Sequence, residues 1–283
     1  MFPAELKNSL SGITVLNFAI NVPGPLAAQY LSQLGARVIK VEPPAGDPLG
    51  QFGRPWYEAM SAGHEIIQVD AKSEQGREQL RPLLSQADVV ITSVRPSALE
   101  RMGLTGLHKL PNGPIHIDIV GDTESPETPG HDLTYQAGVG TLTPPAMPPV
   151  LLGDILGAHF AVTTTLAALV KRAGVGVDKR GETHGVHCRI GLKQAGETGA
   201  APLKYGLTAP GGLLGGGLWT YGLYPSSDGY VAVAALEPHF AAALTEATGA
   251  TSREELGGFL GARTTAEIIE LASAQALPLA AVV

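Results

Sequence analysis

The first 121 residues alternate between short apolar runs, typical of buried strands, and stretches whose apolar residues recur at helical spacing. The predicted strands lie at 12–18, 37–43, 65–71, 88–94 and 114–121. The predicted helices lie at 26–35, at 73–87 with an interruption near Pro82, and at 97–104. Strands that alternate with helices build parallel βαβ units, so this region predicts a doubly wound, Rossmann-like α/β domain.

The pattern changes after residue 121. A long apolar helix is predicted at 154–172, followed by a glycine-rich basic loop at 173–185 and a strand, or a strand leading into a helix, from 186. The segment 218–236 predicts a hairpin with its turn at Asp228-Gly229, and helices are predicted at 238–249 and 265–276. We therefore predict a large domain over residues 1–174 and a smaller α+β domain over 175–283.

Composition narrows the class of protein. The chain has 283 residues, 44% of them hydrophobic, which suffices for one large domain or two modest ones. A net charge of -7 and the lack of a basic face argue against nucleic-acid binding. One cysteine excludes an intrachain disulfide framework, and the sequence opens without a secretory signal pattern. The apolar runs are broken short of a bilayer span, so we expect a cytoplasmic globular protein without a membrane role.

The common catalytic and cofactor motifs are absent. The turn after the first strand, "VPGPLA", lacks the GxGxxG spacing of a dinucleotide site. The chain has no HExxH, no GxSxG and no histidine cluster with convincing metal-ligand spacing, with His184 and His187 the nearest approach. The sequence therefore predicts no metal site and no redox cofactor.

Three acid–base residues stand where loops meet regular elements. His131 follows Pro129-Gly130, Asp154 opens the long helix, and Glu237 precedes Pro238 after the hairpin. Taken singly, Asp154 and Glu237 are typical helix-start residues, and His131 is typical of a loop histidine. The spacing alone leaves both the structural and the catalytic interpretation open.

Several segments together resemble the family III CoA-transferases, the family of formyl-CoA transferase, carnitine-CoA transferase and α-methylacyl-CoA racemase. The resemblance is carried by "GITVLNFAINVPGPLAAQYLSQLGARVIKVEPPAGDP", "DAKSEQGREQLRPLLSQADVVITSVRPSALERMGL", "PGHDLTYQAGVG", "LLGDILGA" and "YGLYPSSDGYVAVAALEPHF". These segments follow the order of the family through most of the chain. The resemblance implies the family III fold, with the large domain binding CoA.

The resemblance also implies roles for the three candidates. Asp154 in "LLGDILG" matches the aspartate nucleophile of the transferases. The racemase branch adds a histidine in "GHD" and a glutamate in "EP-x-F", which match His131 and Glu237. In a racemase His131 and Asp154 would serve as the two bases on either face of the α-carbon, and Glu237 would orient the imidazole. Backbone N–H groups at the start of the Asp154 helix would stabilise the enolate oxygen.

The favoured hypothesis is a racemase or epimerase acting at C2 of a 2-methyl-branched acyl-CoA thioester, with no cofactor beyond the coenzyme A of the substrate. Two alternatives stay open. One is a CoA-transferase that uses Asp154 to move CoA between carboxylic acids. The other is a catalytically inactive relative that acts as a binding or assembly protein.

The resemblance implies CoA contacts at Lys40 and Arg95, but two departures bear on them. The basic stretch expected before the third strand is replaced by "SAGHEI" (61–66), and Glu65 would repel a pyrophosphate. The sequence ends at "ALPLAAVV", where family members continue into a segment that completes an interlocked dimer. The expectation is a homodimer, or a chain that requires a partner chain.

Overall fold

The computed structural model describes residues 2–175 and 185–282, and the chain forms two compact units, Met1–Ala200 and Ala201–Val283. The strands of the first unit are β1 Thr14–Asn17, β2 Arg37–Glu42, β3 Glu65–Gln68, β4 Val89–Thr92, β5 Ile115–Val120 and β6 His187–Gly191. Its helices are α1 Pro23–Gln33, α2 Leu49–Phe52, α3 Arg54–Ser61, α4 Glu74–Gln86, α5 Pro96–Arg101, α6 Asp132–Val139, α7 Leu152–Val175 and α8 Leu192–Gly199.

The six strands of the first unit form one parallel sheet in the order β3-β2-β1-β4-β5-β6. The chain runs outward from β1 to β3 and then returns to place β4 on the other side of β1. This reversal is the topological switch point of a doubly wound fold, where a crevice opens outside the carboxyl ends of the strands.

Helices cover both faces of the sheet. Alternate residues of β1 point to opposite sides, so Val15 joins one apolar cluster with α1 and α7, and Leu16 joins the other with α4 and α5. The central strands β4 and β5 are buried throughout, as expected for parallel strands covered on two faces. The predicted doubly wound α/β class is confirmed.

The second unit is a small antiparallel sheet packed with helices. Its strands are β7 Tyr221–Pro225, β8 Tyr230–Ala234 and β9 Leu279–Ala281, paired in that order. Its helices are α9 Ala201–Lys204, α10 Pro238–Thr248, α11 Arg253–Gly261 and α12 Thr265–Ala274. The predicted hairpin is present, with its loop at 226–229, and Val231, Leu244 and Leu256 lie fully buried in the core of this unit.

Two details differ from the sequence prediction. The first unit extends to Ala200 rather than to residue 174, because β6 pairs with β5 and α8 packs on α7. Helix α4 runs through Pro82 without a break. Most of the predicted basic loop, residues 176–184 with His184, lies outside the described residues.

Helix α7 is long and apolar enough over Leu152–Gly174 to meet the length and composition of a membrane span. In the first unit, however, it packs against α1, α8 and β5, and Ala158, Ala161 and Thr165 are fully buried there. These contacts make α7 the core helix on one face of the sheet.

Candidate active site

A cleft of about 480 Å³ opens at the switch point of the first unit. Its floor comes from residues that follow the carboxyl ends of β1, β4 and β5, and its wall comes from the segment before α6 and from the first turn of α7. The polar side chains that line it belong to Asn21, Ser93, Arg95, Thr128, His131, Tyr135 and Asp154. The cleft thus lies where doubly wound folds bind their ligands.

Asp154 lies in the first turn of α7, partly buried in the cleft wall. Burial, together with the smaller effect of the nearby charge of Asp132, raises the pKa of its carboxyl group to about 7. Such a group exchanges a proton readily near neutral pH, which is the requirement for a general acid or base.

Asp132 explains why α7 begins where it does. Its buried carboxylate accepts hydrogen bonds through Oδ1 from the backbone N–H groups of Gly153, at 2.7 Å, and Asp154, at 3.0 Å. A helix leaves its first N–H groups without partners, and this side chain from α6 supplies one. Asp132 therefore caps α7 from the neighbouring helix α6.

The same contacts revise one expectation about the enolate. The N–H groups of Gly153 and Asp154, predicted to bind the enolate oxygen, are already donated to Asp132. A donor for that oxygen has to come from another part of the cleft.

His131 is the residue immediately before α6, and its side chain is exposed. Its backbone is held by Thr134, whose hydroxyl accepts from the His131 N–H at 3.1 Å and donates to the His131 carbonyl at 2.7 Å. His131 lines the same cleft as Asp154. The structure therefore brings together two of the three acid–base residues predicted from sequence.

Arg95 also lines this cleft, from the position just before α5. Its side chain is exposed, and within residues 2–175 and 185–282 it forms no ion pair. A cation without an anionic partner in a ligand cleft suits a phosphate or carboxylate of a substrate.

Lys40, by contrast, does not line this cleft. Its side chain is 1% exposed, and its ammonium group lies 2.5 Å from Asp47 and 3.7 Å from Glu42. Asp47 is itself fixed by the N–H groups of Asn21 and Leu49, both at 3.0 Å. Lys40 therefore neutralises an interior carboxylate pair, and its CoA contact stays a prediction.

The "SAGHEI" departure has a local explanation. Glu65 begins the edge strand β3 and pairs with Arg37 of β2 at 2.7 Å, so its charge has a cationic partner. His64 is half-buried with its Nε2 unpaired, and burial, aided by the charge of Lys40, lowers its pKa to about 4. Neither residue lines the cleft.

Glu237 belongs to the second unit, where it precedes α10 with Pro238 as the first helical residue. Its side chain is exposed and makes no capping hydrogen bond, while its carbonyl oxygen accepts from the N–H of Ala241 at 2.9 Å. Glu237 therefore stands at the start of α10, as the helix-start interpretation has it, but only its backbone contributes to the cap. A contact between Glu237 and His131 stays a prediction.

Tyr135 is a cleft residue that the sequence reasoning missed. Burial, with the charges of Asp154, Asp122 and Asp132, raises the pKa of its hydroxyl group. Glycines make room for its ring: a Cβ at Gly121 would lie 2.4 Å from the Tyr135 hydroxyl, and one at Gly130 would lie 2.7 Å from it. The available signal was spacing, since Tyr135 stands four residues after His131 and so on the same side of α6.

Among residues 2–175 and 185–282 there is no group of three or more side chains arranged to hold a metal ion.

The model of CoA-transferase family III matches residues 10–283, and this chain belongs to that family. Both enzymes named as transferases and an enzyme named as a racemase are among its relatives. A probable fatty acyl-CoA transferase from Mycobacterium tuberculosis, Rv3272, is 34% identical over 189 residues, which cover 59% of this chain and 48% of that protein. The α-methylacyl-CoA racemase of Mus musculus is 29% identical over 270 residues, which cover 87% of this chain and 66% of that protein.

The structural comparison agrees with the family assignment. The crystal structure of Rv3272 superimposes with a TM-score of 0.81 at 25% sequence identity, covering 96% of this chain and 85% of that one. The chain spans about half the length of several curated relatives that it matches. The fold and family are thus defined, and the particular reaction is addressed below.

Proposed function

We propose that this protein is an acyl-CoA racemase or epimerase that inverts C2 of a 2-methyl-branched acyl-CoA thioester. The observation that carries the proposal is the meeting of His131 and Asp154 in one cleft, with the pKa of Asp154 raised to about 7. A two-base reaction needs two proton-transfer groups at one substrate carbon, and His131 and Asp154 line the same cleft.

The proposed reaction has two proton transfers. One base takes the α-proton, and the electron pair of the broken C–H bond moves into the thioester to form an enolate. The conjugate acid of the other base then delivers a proton to the opposite face of the α-carbon. Because Asp154 titrates near neutrality, it can act as base in one direction and as acid in the other.

Charge on the enolate oxygen has to be stabilised. Helix α6 begins at the cleft, and the positive end of its dipole favours a developing negative charge there. Arg95 supplies a cation for the anionic groups of the thioester substrate. Glu237 is assigned the role of orienting the imidazole of His131, as the resemblance to the racemase branch implies.

The second candidate function is CoA transfer with Asp154 as nucleophile. It is favoured by the names of several relatives, among them a succinyl-CoA–D-citramalate CoA-transferase and a formyl-CoA:oxalate CoA-transferase. A carboxyl nucleophile reacts in its ionised form, so Asp154 would attack the thioester as a carboxylate. The presence of His131 in the same cleft is what supports the racemase over this alternative.

The decisive experiment incubates the protein with a chiral 2-methylacyl-CoA in D₂O, without an acceptor acid, and follows α-deuterium by mass spectrometry. The proposal predicts deuterium incorporation together with loss of optical purity. Transfer of CoA only after an acceptor acid is added, with a hydroxylamine-trapped acyl-aspartate, would assign the transferase. Absence of heat on calorimetric titration with millimolar CoA would exclude both the racemase and the transferase hypotheses. The hypothesis of a binding or assembly protein would then remain.

A homodimer remains part of the proposal. Sedimentation equilibrium of the full chain, with and without CoA, measures the oligomeric state directly. A monomer that catalyses exchange would show that neither a second copy nor a partner chain is needed.

A further inference from the structure

The carboxylate of Asp132 is the strongest unassigned feature near the cleft. It is 3% exposed and carries a negative charge beside the candidate catalytic carboxyl of Asp154. A helix can be capped by a neutral Ser, Thr or Asn equally well, so capping alone does not require a charged side chain here. Burying a second carboxylate next to Asp154 costs free energy unless hydrogen bonds compensate its charge. A charged residue at this position therefore suggests a role beyond capping.

We propose that Asp132 is a positioning residue for Asp154: its buried carboxylate fixes the first turn of α7 and presents a negative neighbour that favours the protonated form of the Asp154 side chain. The inference rests on the proposed function in one respect, since it gives that protonated form a use as the proton donor in racemisation.

The carboxylate of Asp132 is held by three N–H donors. Oδ1 accepts from the backbone of Gly153 and Asp154, and Oδ2 accepts from the side-chain amide of Gln136 at 2.6 Å. Hydrogen bonds from N–H groups stabilise a carboxylate charge, so the negative neighbour is built into the fold. Asp154 receives no comparable set of donors to its own carboxylate within the described part of the chain.

Gln136 holds the carboxylate of Asp132 in place through its second oxygen, Oδ2. The same amide nitrogen that donates to Asp132 also donates to the carbonyl oxygen of Val150 at 2.7 Å, just before α7. Gln136 is 3% exposed, and its amide oxygen accepts from the hydroxyl of Thr141 at 3.3 Å. The amide therefore ties α6 to the loop that leads into α7 and prevents the carboxylate of Asp132 from turning away.

Gly153 makes the close approach possible. A Cβ at this position would lie 2.9 Å from the carbonyl oxygen of Leu192 and 3.3 Å from Asp132 Oδ1. A larger residue would push the first turn of α7 away from the carboxylate. The short distance between Asp132 and the backbone of Asp154 is thus a property of the packing of α6, α7 and α8.

The other charged and titratable groups around Asp154 do not replace Asp132. From α6 and the residue before it come Tyr135 and His131, and from the start of α5 comes Arg95, all lining the same cleft. The charge of Asp122 contributes to the raised pKa of Tyr135 and is not among the causes of the raised pKa of Asp154. Among the acidic groups, Asp132 alone influences the Asp154 carboxyl within the described residues, while burial has the larger effect.

The test is a titration of the Asp154 carboxyl group by carbon-13 NMR in the full-length protein, with its signal assigned by difference against Asp154→Asn. The unaltered protein should show a midpoint near 7. In Asp132→Asn, which keeps an oxygen for capping, the midpoint should fall but stay above that of an ordinary aspartate, because burial remains. Asp122→Asn is the matched control, and it should leave the midpoint in place.

An unchanged midpoint in Asp132→Asn would reduce Asp132 to a helix cap and overturn the proposal. If Asp132→Asn does not fold, Asp132→Ser, which also keeps an oxygen for capping, takes its place, and an unchanged midpoint there would overturn the proposal equally. The titration needs no substrate, so it separates this inference from the proposed function. If the unaltered protein shows no α-deuterium exchange while Asp132→Asn lowers the titration midpoint of Asp154, the racemase is rejected and the role of Asp132 is kept.

Discussion

Two buried acidic sites in the first unit have opposite electrostatic designs. At the first, Asp47 and Glu42 surround the ammonium group of Lys40, which lies 2.5 Å and 3.7 Å from them. At the second, Asp132 stands beside Asp154, and within the described residues neither side chain forms an ion pair. The first site is compensated and closed, whereas the second opens into the cleft.

The difference separates a structural charge from a chemical one. In a buried ion pair, each charge is stabilised by the opposite charge in contact with it. Removing one partner leaves the other buried without compensation, which destabilises the fold. A buried carboxyl group beside another carboxylate instead has a raised pKa, so it can change protonation state near neutral pH. Since the two sites belong to one unit, substitutions at both can be compared in the same protein.

The largest expected effect is on catalysis. Asp154→Asn and His131→Gln should each lower α-deuterium exchange by about 10²- to 10⁴-fold, because each removes one partner of the proton transfer. The measurement is the exchange rate in D₂O, with Asp70→Asn, an exposed aspartate outside the cleft, as the matched control. Near-full exchange in His131→Gln would refute the two-base scheme.

The compensated site should respond in stability. Lys40→Met leaves Asp47 and Glu42 buried without their cation, and it should lower the free energy of unfolding by about 3–5 kcal/mol. Arg37→Met, which breaks the exposed pair with Glu65, should cost only about 0–1 kcal/mol. Urea denaturation of both variants gives the comparison. A fully stable Lys40→Met with weakened CoA binding would restore the ligand contact predicted from sequence.

At the uncompensated site, removing the charge should raise the free energy of unfolding instead of lowering it. The folded pKa of Asp154, about 7, lies above the ordinary aspartate value of 3.8, so its ionisation is harder in the folded state. The charge therefore destabilises the fold above pH 7, and this destabilisation disappears as the pH falls through 7 towards 4.

Asp154→Asn should accordingly stabilise the protein at pH 8 by on the order of 2 kcal/mol, with no gain near pH 4. Asp122→Asn should instead lower stability at pH 4 and above, with this loss disappearing between pH 4 and pH 2, because hydrogen bonds from Gln194 and Lys193 lower the pKa of Asp122 to about 2. Thermal unfolding from pH 8 down to pH 2 measures both. Loss of stability in Asp154→Asn at pH 8 would mean that Asp154 is a compensated structural charge.

The sequence predicted the sheet and one half of the site for a physical reason. Parallel strands buried on both faces are nearly continuous apolar runs, so β1 to β5 are visible without tertiary information. His131 and Asp154 lie in the segment between β5 and β6 and were assigned roles by resemblance to a family motif. Helix α6 was missed as a helix because its eight residues contain a glycine and no strong amphipathic pattern.

The fate of Lys40 could not be predicted, since it depends on how the chain folds back after β2. The segment 43–49 returns Asp47 to the side chain of Lys40 and pairs it there. Nothing in the local pattern of "RVIKVEP" distinguishes a lysine that pairs internally from one that reaches a ligand. The burial of Asp132 and the cap that it provides for α7 are tertiary in the same way.

Arg95 and Lys40 form a second pair for comparison, because both were predicted to contact CoA and only Arg95 lines the cleft. Arg95→Gln removes a cation without an ion-pair partner among the described residues, so we expect KM for the acyl-CoA to rise by about 10-fold while kcat changes little. Steady-state exchange kinetics give both constants. An equal loss in kcat would place Arg95 at the reacting carbon instead of at the anionic groups of CoA.

The smallest expected effect tests how packing sets the environment of Asp154. Gly121→Ala places a Cβ against the hydroxyl group of Tyr135, so the ring has to shift and the cleft around Asp154 becomes better hydrated. Since burial is the main cause of the raised pKa, the titration midpoint of Asp154 should fall and exchange should slow by about 2- to 5-fold. Gly138→Ala, in α6 with free space around the new methyl group, is the matched control and should leave both unchanged. If Gly121→Ala leaves the midpoint in place while Asp132→Asn lowers it, charge outweighs burial at this site and the order of the two causes has to be reversed.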